Sequence, residues 1–144
     1  MYIMELVMKK MILIQIFVLT ISSLLIAQNQ LKENDIKSTL TQIFDLSKNQ
    51  DFNSLTSLLF NDKELRPFNN KSKSEVKAVK RIAKKIKAYL DLSDSYEYES
   101  LTFGKFKNLS SADLKVNFKS GDQDLTISFI FVDNSNRILL AEFK

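Results

Sequence analysis

The sequence predicts an α+β protein, with N-terminal helices packed on a curved antiparallel sheet of about four strands in a cone-like arrangement. Three observations carry this expectation. Apolar residues recur at helical spacing between Ile36 and Leu90, then at period two from Tyr96 to the C-terminus. The two patterns occupy separate halves of the chain rather than alternating, which favours segregated helices on an antiparallel sheet over a parallel α/β fold. Polar runs at Ser120-Gly121-Asp122 and Asp133-Asn134-Ser135-Asn136 divide the second half into hairpins.

The N-terminus reads as an address. Met8-Lys9-Lys10 precedes the apolar run MILIQIFVLTISSLLIA, Met11 to Ala27, and polar residues follow. This is the layout of a secretory signal peptide. Residues 1–27 are expected to be that signal with an upstream start extension, translation beginning at Met8. The expected cut falls between Ala27 and Gln28. Leu25 departs from the small-residue preference before the cut, and a site nearer Ser23 is the alternative. The expected location is periplasmic or secreted; anchoring by an uncleaved signal is the alternative. The apolar run is at the short end for a spanning helix and contains Gln15, Thr20, Ser22 and Ser23. The chain has no Cys, which excludes a lipid anchor on that residue as well as disulfides. Residues 28–144 are expected to form a single α+β domain of net charge +3.

Within that domain, Asn34 or Asp35 can cap a first helix. Ile36, Leu40, Ile43 and Phe44 form its apolar stripe. Lys48-Asn49-Gln50 ends it, and Asp51 caps a short second helix with Phe52, Leu55, Leu58 and Leu59 inward. Asn61 to Lys73 reads as a polar loop. The third helix starts at Ser72, with Glu75 at capping-box spacing, or at Ser74. Its apolar side is Val76, Val79, Ile82, Ala83, Ile86, Tyr89 and Leu90; its wet side is Lys77, Lys80, Arg81, Lys84, Lys85 and Lys87.

Strand patterns follow. Tyr96-Glu97-Tyr98-Glu99 opens the first and runs to Phe103, where Gly104 permits a bend or bulge. Leu114, Val116 and Phe118 mark the second. Leu125, Ile127, Phe129 and Phe131 line one face of the third, and Ile130 with Val132 on the other makes it central. RILLAEFK is the last strand.

Two stretches carry a family resemblance. LSKNQDFNSLTSLLFND, a helix breaking at a polar turn into a short Asp-Phe-led helix, resembles the start of nuclear-transport-factor-2-like domains. ISFIFVDNSNRILLAEF, a long strand, a polar hairpin and a final strand, resembles their ending. The resemblance spans most of residues 35–144 and implies a cone-shaped α+β fold. It implies no single activity, because the superfamily hosts isomerases, dehydratases, cyclases, immunity proteins and plain binding modules. Its enzymes usually work from the mouth of the cone with His, Asp or Tyr in an apolar pocket.

The chain has no His, which removes imidazole bases and, with the lack of Cys, the usual zinc ligands. No catalytic residue, cofactor or metal is expected; the turn aspartates form no calcium-loop motif. The remaining candidates are carboxylates and phenols on strands: Tyr96, Tyr98, Glu97, Glu99, Asp113 and Glu142. Period two puts Glu142 in line with Ile138 and Leu140, so it can project into the concavity, where desolvation would suit a general acid or base. The plainer account is a solvated strand end for Glu142 and cross-strand packing for the tyrosines. Tyr96, Tyr98 and Glu142 are therefore the candidate ligand-binding residues.

Lys77, Lys80, Arg81, Lys84 and Lys87 form a candidate basic face. Lys outnumbers Arg 18 to 3, and Arg is the residue of bidentate phosphate and base recognition. Nucleic acid is not an expected partner, nor is stable membrane insertion after cleavage. A weak contact with an anionic surface is compatible with the face, as is a solvated exterior; a dimer is compatible with the sequence. The expected function is an exported small binding or accessory domain, non-catalytic, with an unknown protein or small ligand as partner. The alternative is a pocket-carboxylate enzyme or small-ligand carrier using the sheet concavity.

Overall fold

The computed structural model describes residues 31–144. The signal segment 1–27, the Met8 start and the cleavage site lie outside the described residues.

Helix α1 spans Glu33–Asn49 and buries Ile36, Leu40, Ile43 and Phe44, the stripe its spacing dictates. Its start differs from expectation. Lys32 occupies the cap position without a side-chain bond, and Asn34 and Asp35 fall within the first turn. There Glu33 and Asp35 face the positive end of the helix dipole. The helix stops at Gln50, which turns left-handed at φ 57°. Asp51 then caps α2, Phe52–Leu55, by accepting from the Ser54 N–H at 3.1 Å. A 3-10 turn at Thr56–Leu58 follows. Leu55 and Leu59 are fully buried, with Phe52 and Leu58 packed against the core from partly exposed positions.

The expected polar loop contains structure. Strand β1, Phe60–Asn61, pairs antiparallel with β2, Arg66–Pro67. Helix α3, Lys73–Asp91, begins at Ser72, whose hydroxyl accepts from the Glu75 N–H at 3.4 Å. Only half of the capping box forms. The Glu75 carboxylate turns instead to Arg66, which donates through two nitrogens at 2.8 and 3.1 Å, and to the Asn69 N–H at 2.7 Å. This holds Glu75 well below its ordinary value of 4.5, at about 2, chiefly through the Arg66 bond. The ion pair thus ties the β1–β2 excursion to the start of α3.

Strands β3 (Ser95–Phe106), β4 (Leu109–Ser120), β5 (Gln123–Asn134) and β6 (Arg137–Phe143) pair antiparallel in that order. The β3–β4 and β5–β6 turns use left-handed pairs, Lys107-Asn108 and Ser135-Asn136, whose twist suits two-residue hairpins. No bulge falls at Gly104, which pairs regularly with Ser111; the irregularity in β3 lies between Tyr98 and Ser100.

One sheet face receives α1 and α3. Phe44, Val79, Ala83 and Ile86 meet Leu114, Val116, Phe129 and Phe131 there, all buried. Leu125 departs from its expected burial and is 48% exposed. It lies at the β4–β5 hairpin end, paired with Phe118. On the reverse face Val132 and Leu139 join Phe60 in a smaller apolar cluster. β5 is therefore central, as Ile130 and Val132 implied. The described residues form an α+β fold with three helices on an open four-stranded sheet.

A second irregularity decides the C-terminus. Leu140 pairs with Phe131 but Glu142 pairs with Ile130, leaving Ala141 as an extra residue in β6. Such a bulge reverses the facing of everything beyond it. Phe143 consequently returns to the helix face opposite Phe129, and Glu142 joins Ile130 on the reverse side.

Candidate binding cleft

The sequence-proposed site residues do not converge. Tyr96 and Tyr98 lie on β3 and Glu142 on β6, the two edges of the sheet. They are separated by three inter-strand spacings, about 14 Å. Glu142 is exposed and on the face opposite to Ile138 and Leu140, so its expected alignment with them is corrected by the Ala141 bulge. Its nearest ionic partner is Lys144, at 4.0 Å.

The tyrosines pack against α1. Tyr96 meets Phe44 edge-on at 5.2 Å between ring centroids and Phe118 at 5.9 Å. Burial against these rings, with Tyr98 and Asp45 nearby, pushes the Tyr96 phenol above its usual range. It is thereby a weaker acid than a free phenol. The Tyr98 hydroxyl lies 3.2 Å from Thr41 Oγ1, and Lys37 lies over its ring at 5.1 Å. Glu97 bonds Lys119 at 2.8 Å, and Glu99 accepts from Thr126 at 3.3 Å. Asp113 accepts from the Ser128 hydroxyl. Each of these carboxylates is engaged in a cross-strand contact.

The interior is occupied by rings. Phe44 contacts Phe118 and Phe129, and Phe129 stacks on Phe143 at 5.7 Å and 16°. Tyr89 closes the set against Phe118 and Phe143. Clefts lie at the margins. One of about 530 Å³ lies between the end of α3 and the β4–β5 hairpin, with Tyr89 and Phe118 as floor and Leu92 and Leu125 as lips.

Another, of about 380 Å³, lies where the β6 edge approaches α3 and β1. Both volumes are within the range of ligand clefts, about 300–1,000 Å³. Leu59, Phe68, Ile82 and Phe143 give the second cleft an apolar floor. Arg81, Lys85, Asp62 and Glu142 give it a charged rim. Asp62 is held by Lys107 at 2.9 Å, which lowers its titration below the usual carboxylate range. Lys85 rides over the Phe143 ring at 5.0 Å. Arg81 and Lys85 make no ion pair among the described residues. The cleft can therefore take an apolar group beside an anionic one.

The basic face divides. Lys77, Lys80, Arg81 and Lys84 are exposed along α3. Lys80 lies over Phe52, and Lys87 is half-buried and paired with Asp91. Arg81 belongs to the cleft. Lys85 and Phe68 complete that site without any local motif: one is a lysine among many, the other a lone aromatic in a polar run. The spacing of Arg81 and Lys85, one turn apart beside Ile82, is the available signal.

No family model and no curated protein matches the chain. Among solved structures it is similar to a Campylobacter jejuni protein described as an NTF2-like transpeptidase. That match has 13% identity and a TM-score of 0.49, and covers 74% of this chain and 96% of the other. A designed NTF2 chain is similar at 11% identity and a TM-score of 0.45, covering 78% of this chain and 98% of the other. Both belong by name to the superfamily that the two sequence stretches resemble. At such identities no activity transfers, and the α+β assignment stands on the strand pairing and helix packing described above.

Proposed function

We propose that this protein is a small exported binding or accessory domain, non-catalytic, that contacts its partner through the cleft between β6 and α3. One observation carries the proposal. The concavity is filled by Phe44, Phe118, Phe129 and Phe143, while the margin keeps an apolar floor beside Arg81 and Lys85. A filled interior suits a scaffold, and an apolar cleft with a few polar groups suits recognition. Export rests on the arrangement of residues 1–27, and the expected mature N-terminus is near Gln28.

The test is a small-molecule carboxylate screen read by amide NMR. Shifts confined to Arg81, Ile82, Lys85 and Leu140–Phe143 support the cleft. Ligand shifts centred on Phe118 and Phe129, accompanied by turnover, would replace this reading with a pocket enzyme.

A further inference from the structure

Resting on that reading, we infer that the occupant of the cleft is an extended acidic peptide segment, which adds to the free edge of β6 as a fifth strand.

The backbone supports the addition. β6 is an edge strand, and among the described residues its outer side pairs through Leu59 alone, bridged to Leu140 in parallel. Beyond Leu140, Phe60 and Asn61 pair with β2 rather than with β6. Ser128 and Lys144 exchange both main-chain bonds, at 2.8 and 3.1 Å. In an antiparallel ladder the next pair, Phe129 and Phe143, is then the non-bonded kind. The Phe143 N–H and C=O consequently point away from β5, toward the open edge that lines the cleft. Unpaired edge groups of this kind template strand addition, the main chain giving affinity and alternate side chains giving specificity.

The side chains select the sign. Of the four charged groups on the rim, Asp62 is held by Lys107. Glu142 has Lys144 at 4.0 Å. Arg81 and Lys85 have no carboxylate partner among the described residues. A strand laid along Ala141–Phe143 turns alternate side chains to opposite faces; its acidic residues would take the helix face, methylenes over Ile82 and Phe68 and carboxylates at Arg81 and Lys85, and its apolar ones the face away from α3. Arg supplies a planar fork for a carboxylate, and the partly shielded cleft strengthens that contact relative to open water.

The experiment uses the chain expressed from its full sequence and a blocked octapeptide alternating valine and glutamate. Controls are the valine–lysine counterpart, the glutamate peptide N-methylated on alternate amides, and free glutarate. The expected result is amide shifts at Ala141 and Phe143 with the acidic peptide. Affinity should fall at least about tenfold in Arg81→Glu/Lys85→Glu, as for loss of close charge pairs. N-methylation and the lysine peptide should each weaken binding similarly. Glutarate binding in the cleft without any peptide effect at Phe143 overturns the strand addition and leaves the cleft reading standing. Equal binding of the N-methylated peptide also overturns it. No binding by glutarate or peptide overturns both.

Discussion

Phe143 lies opposite Phe129 while its neighbour Glu142 lies opposite Ile130, because Ala141 has no partner on β5. The core face of β6 therefore reads Ile138, Leu140, Phe143, a spacing of two and then three. Substitutions can separate this arrangement from strict alternation. Phe143 is partly buried, stacked on Phe129 and edge-on to Tyr89. Phe143→Ala should cost about 2 kcal/mol, roughly half the value for a fully buried Phe. Glu142→Ala should stay within about 0.5 kcal/mol, as for a surface position. Urea unfolding measures both, and a larger loss for Glu142→Ala would refute the bulge.

A second contrast lies along β5. Leu125 and Phe129 share a face by period two, yet Phe129 is fully buried and Leu125 is 48% exposed. Phe129→Ala should cost about 3–5 kcal/mol through lost transfer energy and a cavity among Phe44, Phe118 and Phe143. Leu125→Ala should cost less than about 1 kcal/mol. Comparable losses in denaturant midpoint at unchanged slope would show that the helices cover the hairpin end after all.

These cases mark what the sequence makes legible. The stripes Ile36-Leu40-Ile43-Phe44 and Val79-Ala83-Ile86-Leu90 survive because a helix keeps its period throughout. The order of four strands follows from polar turns whose residues tolerate left-handed backbone, Ser135 and Asn136 among them. Glu142 was misplaced because one bulge residue inverts a period-two register, and Ala141 carries no local signal for it. The β1–β2 pair was missed because two residues are too short to show a period. The cleft draws on Leu59, Phe68, Arg81 and Phe143, segments far apart in the chain. Only the tertiary fold brings them together.

The Arg66–Glu75 pair should make stability depend on acid. The folded state holds Glu75 at about 2 against an ordinary 4.5, with the Arg66 bond as the leading cause. A lowered folded-state value stabilises above the unfolded one and loses that contribution as pH falls. The contribution should be complete above about pH 5 and decline between 4.5 and about 2. Glu75→Gln should therefore melt at lower temperature than the parent at pH 7, and the gap should close through this window. A gap that stays constant down to pH 2 would show that Glu75 acts through packing rather than charge.

The lysine face of α3 should bind anionic lipid weakly and only at low salt. Its apolar stripe, Val79, Ala83, Ile86 and Leu90, is buried against the sheet, so no apolar face is free to enter lipid. What remains is a purely electrostatic contact through Lys77, Lys80 and Lys84, worth up to about 1 kcal/mol for each residue near the surface. Lys87 contributes little because Asp91 holds it. Sedimentation with phosphatidylserine vesicles should detect binding at low ionic strength. Lys77→Glu/Lys84→Glu should abolish it. Salt near 0.15 M should abolish it as well, since screening there acts beyond about 8 Å. Micromolar binding that persists at that salt and still disappears in the double variant would make the face a true docking surface. It would then have a role separate from the Arg81–Lys85 cleft.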